Sequence, residues 1–254
     1  MKLFFRKYGS GQPLIVLHGL FGQCDNWNSL AKQFGESGFE VYAVDLRNHG
    51  LSPHSDVWNY KSMSADVAEL IADNNLQNVI LLGHSMGGKT AMYFALEHPN
   101  VLDKLIVVDI APKYYPLHHQ SVIEALTAVD FSIVKTRKEA EIILSNYIND
   151  FGTKQFLLKN IYWREDEKLA WRFNLEVIVK NIEAVGEATP IDKSIDVPTL
   201  FIRGEKSNYI LDEDVRLIQE LFPRNILETI EGAGHWVHAE KPKEFFEMVM
   251  GFLK

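Results

Sequence analysis

An apolar run that ends in a Gly-x-Ser-x-Gly motif constrains this chain more than any other feature. Val79–Leu82 is typical of a buried strand, and it leads directly into Gly83 and Ser85. Apolar residues at helical spacing follow over Met86–His98. The strand must therefore turn sharply into a helix, and Gly83 and Gly87 allow the two to pack closely because neither has a Cβ. This context predicts a nucleophile elbow that exposes the Ser85 hydroxyl at its tip, near the positive end of the helix.

The same segment also satisfies a competing motif. Gly83 and Gly88, followed by Lys89 and Thr90, match the spacing of a P-loop, and Leu105–Asp109 could serve as a Walker B strand. The two interpretations imply different chemistry: acyl transfer by a serine, or phosphoryl transfer with magnesium. The P-loop leaves the other motifs of the chain without a role. We therefore favour the serine interpretation, in which Lys89 and Thr90 are ordinary residues of the helix.

Composition narrows the functional classes. The formal net charge is −8, the pI is about 5.6 and no basic tract is present, so nucleic acid is not an expected partner. Cys24 is the only cysteine, which excludes an internal disulfide and a cysteine-based zinc site. Met1–Lys7 has an apolar stretch too short for a signal peptide, and no run approaches the length of a membrane span. We therefore expect a cytoplasmic protein with no membrane span.

Strand and helix patterns alternate along most of the chain. The predicted strands are Leu14–Leu17, Glu40–Asp45, Asn78–Gly83, Lys104–Asp109, Val197–Arg203 and Asn225–Ile230. The predicted helices between them are Trp27–Phe34, Met63–Asn74, Met86–His98, Glu213–Leu221 and Lys243–Phe252. Repeated βα units rich in Val, Ile and Leu indicate an α/β fold, with a doubly wound, mostly parallel sheet and helices on both faces.

The alternation is interrupted in the middle of the chain. Residues 111–190 are mostly helical in pattern, over Val122–Val129, Arg137–Asn149, Lys154–Leu158 and Leu175–Val185. The βα pattern then resumes, so this segment is an insertion after the strand that follows the elbow. We expect a single domain over residues 1–254, with residues 111–190 forming a helical cap inserted within it.

A glycine-rich loop after the last predicted strand carries a candidate base for the serine. Gly232–Gly234 precede His235 and could present it over the edge of the sheet. A serine hydroxyl needs such a base, and the order serine then histidine along the chain is typical of triads on this kind of sheet. His238 makes a His-x-x-His metal pair conceivable, but no carboxylate or cysteine cluster accompanies it. We therefore expect His235 to be a general base and no metal to be bound.

A second loop supplies candidate donors for the oxyanion that develops during acyl transfer. One donor is the backbone N–H that follows the nucleophile, on Met86. The other is expected from the loop after the first central strand, where His18–Gly22 follow Leu14–Leu17 directly. Gly19 lets the backbone fold close, so the Leu20 N–H is the expected second donor.

Together these motifs resemble the α/β-hydrolase family over nearly the whole chain. The matching segments are His18–Gly22, Asp45–Ser52, Gly83–Gly88 and Gly232–Trp236, and the resemblance is narrowed by Asp109–Pro112, Trp171–Asn174 and His235–Pro242. These last segments resemble the small serine esterases of the YbfF type and their mitochondrial relatives. The resemblance implies hydrolysis of a small-molecule acyl ester or thioester by a Ser-His-Asp triad, through an acyl-enzyme and without a cofactor or metal.

The acid of the triad departs from the general pattern of the family. In most α/β-hydrolases it follows the strand that resumes after the cap, where this chain has Ser207. The esterase branch that the chain resembles takes its acid from the strand after the elbow, which here ends in Asp109. Ser207 is neutral and is expected to support His235 by hydrogen bonding. Asp212 and Asp214 lie further from the strand end and are better explained as charges at the start of the next helix.

The sequence therefore predicts a serine esterase or thioesterase. Ser85 is the nucleophile, His235 the base and Asp109 the group that orients it, with Leu20 and Met86 as oxyanion donors. Two alternatives share the fold: a lyase of the menaquinone-pathway type that uses the triad for proton abstraction, and a non-catalytic ligand receptor. Turnover of simple aryl esters distinguishes the esterase from the lyase, and labelling by a fluorophosphonate distinguishes it from the receptor.

Overall fold

A seven-stranded sheet forms the centre of the molecule in this computed structural model, which describes residues 1–117, 119–190 and 192–254. Its strands are β1 (Phe5–Tyr8), β2 (Gln12–Leu17), β3 (Phe39–Val44), β4 (Val79–His84), β5 (Leu102–Val108), β8 (Thr199–Gly204) and β9 (Asn225–Ile230), and a separate hairpin joins β6 (Ile161–Trp163) to β7 (Leu169–Trp171). The order across the sheet is β1-β3-β2-β4-β5-β8-β9, and only β1 pairs in the antiparallel direction. The predicted doubly wound, mostly parallel sheet is confirmed.

Helices cover both faces of this sheet. The helices of the described chain, including those of the segment between β5 and β8, are α1 (Asn28–Glu36), α2 (Tyr60–Asp73), α3 (Met86–Glu97), α4 (Gln120–Ala128), α5 (Arg137–Ser145), α6 (Phe151–Leu158), α7 (Leu175–Lys180), α8 (Glu183–Gly186), α9 (Val215–Leu221), α10 (Val237–Glu240) and α11 (Pro242–Leu253). Among the described residues, none of these helices combines the length and the apolar character that crossing a bilayer requires.

Successive side chains along the strands alternate between two apolar cores, one on each face of the sheet. Ile15 and Leu17 belong to one apolar core, together with residues of α2 and α3. Leu14 and Val16, which point to the other face, belong to a second core with residues of α1 and α11. The sheet is therefore fixed from both sides, and its carboxyl edge provides a rigid base for the loops that follow β2, β4, β5, β8 and β9.

The segment between β5 and β8 contains α4 to α8 and the β6–β7 hairpin. Its apolar residues, including Leu126, Leu144 and Phe173, join the same core as Phe21 and Met86. The inserted segment thus packs directly over the carboxyl edge of the sheet. The predicted helix Leu175–Val185 is divided into α7 and α8, a detail that the apolar pattern does not contain.

Candidate active site

Ser85 lies at the tip of the turn between β4 and α3. Its backbone angles, φ 52° and ψ −116°, are ones that non-glycine residues rarely adopt. Its N–H donates to the carbonyl oxygen of Val108 at 3.0 Å, which ties the turn to the end of β5. A Cβ on Gly83 would lie only 2.1 Å from the carbonyl oxygen of Gly87, so strand and helix meet at backbone contact. The turn therefore has the strained geometry expected of a nucleophile elbow.

His235 and Asp109, which are 126 positions apart in the chain, are brought together. His235 lies on the loop between β9 and α10, and its Nδ1 is 2.7 Å from Oδ2 of Asp109. Asp109 directly follows β5, where a positive φ of 52° turns it out of the strand. A carboxylate beside Nδ1 favours the tautomer that carries its proton there, which leaves Nε2 as the basic nitrogen. Ser85 and His235 line the same cavity.

The carboxylate of Asp109 is fully buried and accepts two further hydrogen bonds. The N–H of Gly204 donates to Oδ1 at 3.1 Å, and the hydroxyl of Ser207 donates to Oδ2. Burial raises the pKa of Asp109 to about 7, while the hydrogen bonds from Ser207 and Gly204 act in the opposite direction. Ser207 therefore contacts the carboxylate and can support His235 through Asp109.

The two other acidic residues considered from the sequence are engaged elsewhere. Asp214 pairs with Lys113 at 2.6 Å and accepts the N–H of Leu211 at 2.8 Å. Asp212 pairs with Arg203 at 2.8 Å on the surface. These contacts agree with the interpretation of both residues as charges at the start of a helical turn.

Two rings that pack against His235 were not recognised from the sequence. Tyr209 stacks on the imidazole, with ring centroids 3.8 Å apart and planes inclined by 17°. The centroid of the His84 ring lies 4.7 Å from that of the His235 ring, and Nε2 of His84 is 2.9 Å from the carbonyl oxygen of His235. Tyr209 comes two positions after Ser207 in the loop that follows β8. The sequence contained one signal for this contact: an aromatic residue lies shortly after a strand that ends at the carboxyl edge of the sheet.

The His18–Gly22 loop lies directly beside the elbow. A Cβ on Gly19 would be 3.3 Å from Cβ of Ser85 and 2.9 Å from Nδ1 of His84, so only glycine fits there. Phe21 donates its N–H to Nε2 of His49 at 3.2 Å, so this amide is already engaged. None of the hydrogen bonds among the described residues uses the Leu20 N–H.

Met86 supplies the second amide at this position. It is the first residue of α3, and the first four N–H groups of a helix have no acceptor within the helix. The predicted oxyanion donors therefore lie in two elements next to Ser85: Leu20 in the loop after β2, in the wall of the same cavity, and Met86 at the start of α3.

Two buried histidines, His18 and His49, fix the loop after β2 through hydrogen bonds. His18 Nε2 accepts the N–H of Leu46 at 3.0 Å, and its Nδ1 is 2.8 Å from the carbonyl oxygen of Gly19. Both rings are buried, and burial lowers the pKa of His18 to about 4 and that of His49 to about 3. These histidines are therefore neutral at pH 7 and act as fixed hydrogen-bonding groups.

The described residues contain two cavities that reach Ser85. The larger has a volume of about 480 Å³ and is lined by Leu20 and His235 among others. The smaller, of about 20 Å³, lies against Met86 and Tyr115. No group of three or more His, Cys, Asp or Glu side chains suited to a metal ion occurs in the described part of the chain.

Lys89, the lysine of the alternative P-loop motif, is bound by backbone carbonyl groups of the inserted segment. Its side chain is buried, and its ammonium donates to the carbonyl oxygens of Lys113 at 2.8 Å and Gly186 at 3.3 Å, and to that of Glu187. Burial lowers the pKa of Lys89 to about 7, while three carbonyl acceptors match the three N–H donors of the charged form. Lys89 is therefore more than an ordinary helix residue, because it joins α3 to both ends of the inserted segment, and it is occupied away from any phosphate.

The order of the strands, the elbow at Ser85 and the contact between His235 and Asp109 are typical of one protein family. Comparison with known proteins agrees. A family model described as the alpha/beta hydrolase fold matches residues 12–139. The chain belongs to the α/β-hydrolase family.

Its relatives include named esterases and lipases. The chain is 38% identical over 253 residues to an sn-1-specific diacylglycerol lipase, ABHD11, of Danio rerio, and the match covers 97% of this chain and 80% of the relative. It is 35% identical over 245 residues to esterase YbfF of Escherichia coli K12, and this match covers 96% of this chain and 94% of the relative. A solved structure, a marine microorganism esterase, is 49% identical and superposes with a TM-score of 0.96 over 99% of both chains. The resemblance to the YbfF-type esterases is confirmed.

Proposed function

We propose that this chain is a serine hydrolase that cleaves small-molecule acyl esters or thioesters. The observation that carries the proposal is the contact between Asp109 and His235 beside a cavity that both His235 and Ser85 line. A buried carboxylate, an imidazole and a half-buried hydroxyl at a strained elbow are the three groups of a serine catalytic triad. The names of the relatives, esterase and lipase, support the same chemistry.

The mechanism follows from these positions. The Ser85 oxygen attacks the acyl carbonyl carbon while its proton passes to Nε2 of His235. The imidazolium is stabilised by Asp109 through the 2.7 Å contact at Nδ1. The carbonyl oxygen, now negatively charged, accepts hydrogen bonds from the N–H groups of Leu20 and Met86.

Breakdown of this intermediate releases the alcohol or thiol. His235 returns the proton to the leaving group, the carbonyl re-forms, and an acyl-enzyme on Ser85 remains. His235 then takes a proton from water, whose oxygen attacks the acyl carbon, and the carboxylic acid departs as Ser85 recovers its proton. No step requires a cofactor or a metal.

The inserted segment completes the site in this proposal. Residues 111–190 act as a helical cap of the single domain 1–254, and they enclose the acyl and leaving groups above the elbow. The support for this role is that Val122 and Phe156, both in the segment, line the larger cavity with Ser85. Excluding water strengthens the interactions made by the oxyanion donors.

Hydrolysis of p-nitrophenyl acetate tests the proposal. We expect measurable turnover by the unmodified protein, and losses of about 10⁴-fold or more in kcat for Ser85→Ala and for His235→Ala, because either change removes proton transfer to and from the nucleophile. Ser37→Ala, which changes an exposed serine at the end of α1, is the matched control and should keep full activity. Full activity of Ser85→Ala would refute the proposal.

A further inference from the structure

The two cavities that meet at Ser85 differ in size and in access to the histidine. Both are lined by Ser85 and Tyr209, so they lie on two sides of the same reacting centre. The larger holds about 480 Å³ and includes His235 in its wall, whereas the wall of the smaller, about 20 Å³, includes Met86 but not His235. An ester bound at Ser85 must place its two arms, acyl and alkoxy, in these two spaces.

The position of His235 decides which arm enters which cavity. The departing oxygen or sulfur must receive its proton from His235, so the leaving group has to lie on the side of the imidazole. That side is the larger cavity. The acyl chain, on the opposite side of the carbonyl carbon, is directed past Met86 into the smaller one.

The smaller cavity is narrow, and part of its wall is rigid. Its volume of about 20 Å³, against about 480 Å³ for the larger cavity, leaves room for a short alkyl group only. Its wall includes the rings of Tyr60 and Tyr115, whose hydroxyls donate to the carbonyl oxygens of Val185 and Tyr209, respectively. The Tyr115 hydroxyl also accepts the N–H of Ala111 at 2.8 Å. These hydrogen bonds fix both rings against the inserted segment and the loop after β8.

We infer that the enzyme is selective for short acyl groups carried by a bulky alcohol or thiol. The inference rests on the proposed function and assigns the smaller cavity to the acyl group. The larger cavity suits a sizeable, partly aromatic leaving group. Phe156 and Trp236 lie in its wall with ring centroids 5.4 Å apart, and Gln155 and Lys159 add polar groups further out.

An acyl-length series tests the assignment. We expect kcat/KM for p-nitrophenyl butyrate to be about tenfold or more below that for the acetate, and the octanoate to be lower still, because each methylene beyond the cavity must displace packed side chains. Phenethyl acetate should be cleaved at least as efficiently as ethyl acetate, since the alkoxy arm occupies the larger space.

Two variants and a control connect the preference to the smaller cavity. Leu117→Ala removes a half-exposed side chain from its wall, and Ile182→Val removes one buried methylene from the same wall. We expect either variant to raise the ratio of butyrate to acetate kcat/KM by severalfold. Val122→Ala, a similar truncation in the larger cavity, should leave that ratio unchanged.

The outcomes separate this inference from the proposed function. Rapid cleavage of all the esters, with the octanoate preferred, would overturn the acyl assignment while leaving Ser85 chemistry intact. A rise in the butyrate ratio for Val122→Ala alone would also overturn it. Absence of turnover with every ester, together with absence of covalent labelling at Ser85, would instead refute the proposed function.

Discussion

The carboxylate of Asp109 makes three contacts that together hold His235 in one orientation. Its Oδ2 lies 2.7 Å from the imidazole and accepts the Ser207 hydroxyl, and its Oδ1 accepts the Gly204 N–H. The carboxylate beside His235 thus comes from the end of β5, while the loop after β8 provides a hydroxyl that donates to it. In the proposed triad, Asp109 is the acid and Ser207 positions it.

Replacing the carboxylate tests the assignment of Asp109. We expect Asp109→Asn to fold and to reduce kcat by about 10⁴-fold, because the amide can stabilise the wrong imidazole tautomer. Asp212→Asn is the control, since that carboxylate pairs with Arg203 on the surface, and it should leave kcat nearly unchanged. Wild-type kcat in Asp109→Asn would show that the acid lies elsewhere.

Ser207 has an effect that can be separated from general loss of structure. Ser207→Ala should lower kcat by about tenfold to a hundredfold, because it removes a hydrogen bond to a carboxylate, which is worth roughly 1.5–3 kcal/mol. The pKa of Asp109 is raised to about 7 by burial, and the Ser207 bond lowers it. Activity should therefore fall as pH drops through about 7, and Ser207→Ala should move this acidic limb of kcat/KM to higher pH. An unshifted limb would contradict the positioning role.

At the residue level, the sequence identified the polar residues but not the aromatic residues around them. Ser85, His235 and Asp109 each follow a strand end, and parallel strands bring such ends to one edge, so their proximity could be predicted. The stacking of Tyr209 on His235 depends on how two loops approach each other. No periodicity within either loop contains that information.

Backbone contact, rather than side-chain packing, defines the elbow as an element. A Cβ on Gly83 would lie 2.1 Å from the Gly87 carbonyl oxygen, and one on Gly87 would lie 2.4 Å from the carbonyl oxygen of Leu17. The elbow therefore joins β4, α3 and β2 at distances that no side chain permits. This close approach lets the loop after β2 reach Ser85.

A pair of glycine substitutions tests this description of the elbow. We expect Gly83→Ala to lower the free energy of unfolding by about 3 kcal/mol or more, since backbone atoms must move to accommodate the methyl group. Gly251→Ala, in α11, meets no atom within 4 Å and should raise it by up to about 1 kcal/mol through helix propensity. Urea titration measures both, and a well-folded, fully stable Gly83→Ala would contradict the account.

The elements that the sequence left unpredicted are short or depend on distant partners. β6 and β7 have three residues each, too few for an alternating pattern to be recognised. β1 is a partly exposed edge strand that is fixed by antiparallel pairing with β3. The carbonyl cage around Lys89 likewise requires both ends of the inserted segment, which are far apart in sequence.

Buried neutral histidines give the whole molecule a marked sensitivity to acid. Burial lowers the pKa of His18 to about 4 and that of His49 to about 3, and it lowers the pKa values of His84 and His238 well below their usual range. The unfolded chain binds protons on these rings below about pH 6.5, whereas the folded protein does not. Their contribution to stability is therefore present above pH 6.5 and is lost as pH falls.

Two carboxyl groups oppose this trend without cancelling it. Burial raises the pKa of Asp109 to about 7 and also raises that of Asp45, so both bind protons more readily in the folded state. Four histidines outweigh these two groups. We expect the free energy of unfolding to fall by roughly 3 kcal/mol per pH unit at its steepest, between about pH 6 and 4.5. Urea titrations that differ by less than about 1 kcal/mol between pH 7 and pH 5 would contradict this.

Covalent labelling tests the central claim most directly, because it reports the nucleophile itself. The protein is treated with a fluorophosphonate, and the modified residue is located by peptide mass mapping. The account predicts one adduct, on Ser85, formed in proportion to the loss of esterase activity and absent from Ser85→Ala. An adduct on a different serine, or full esterase activity remaining once Ser85 is completely modified, would contradict it.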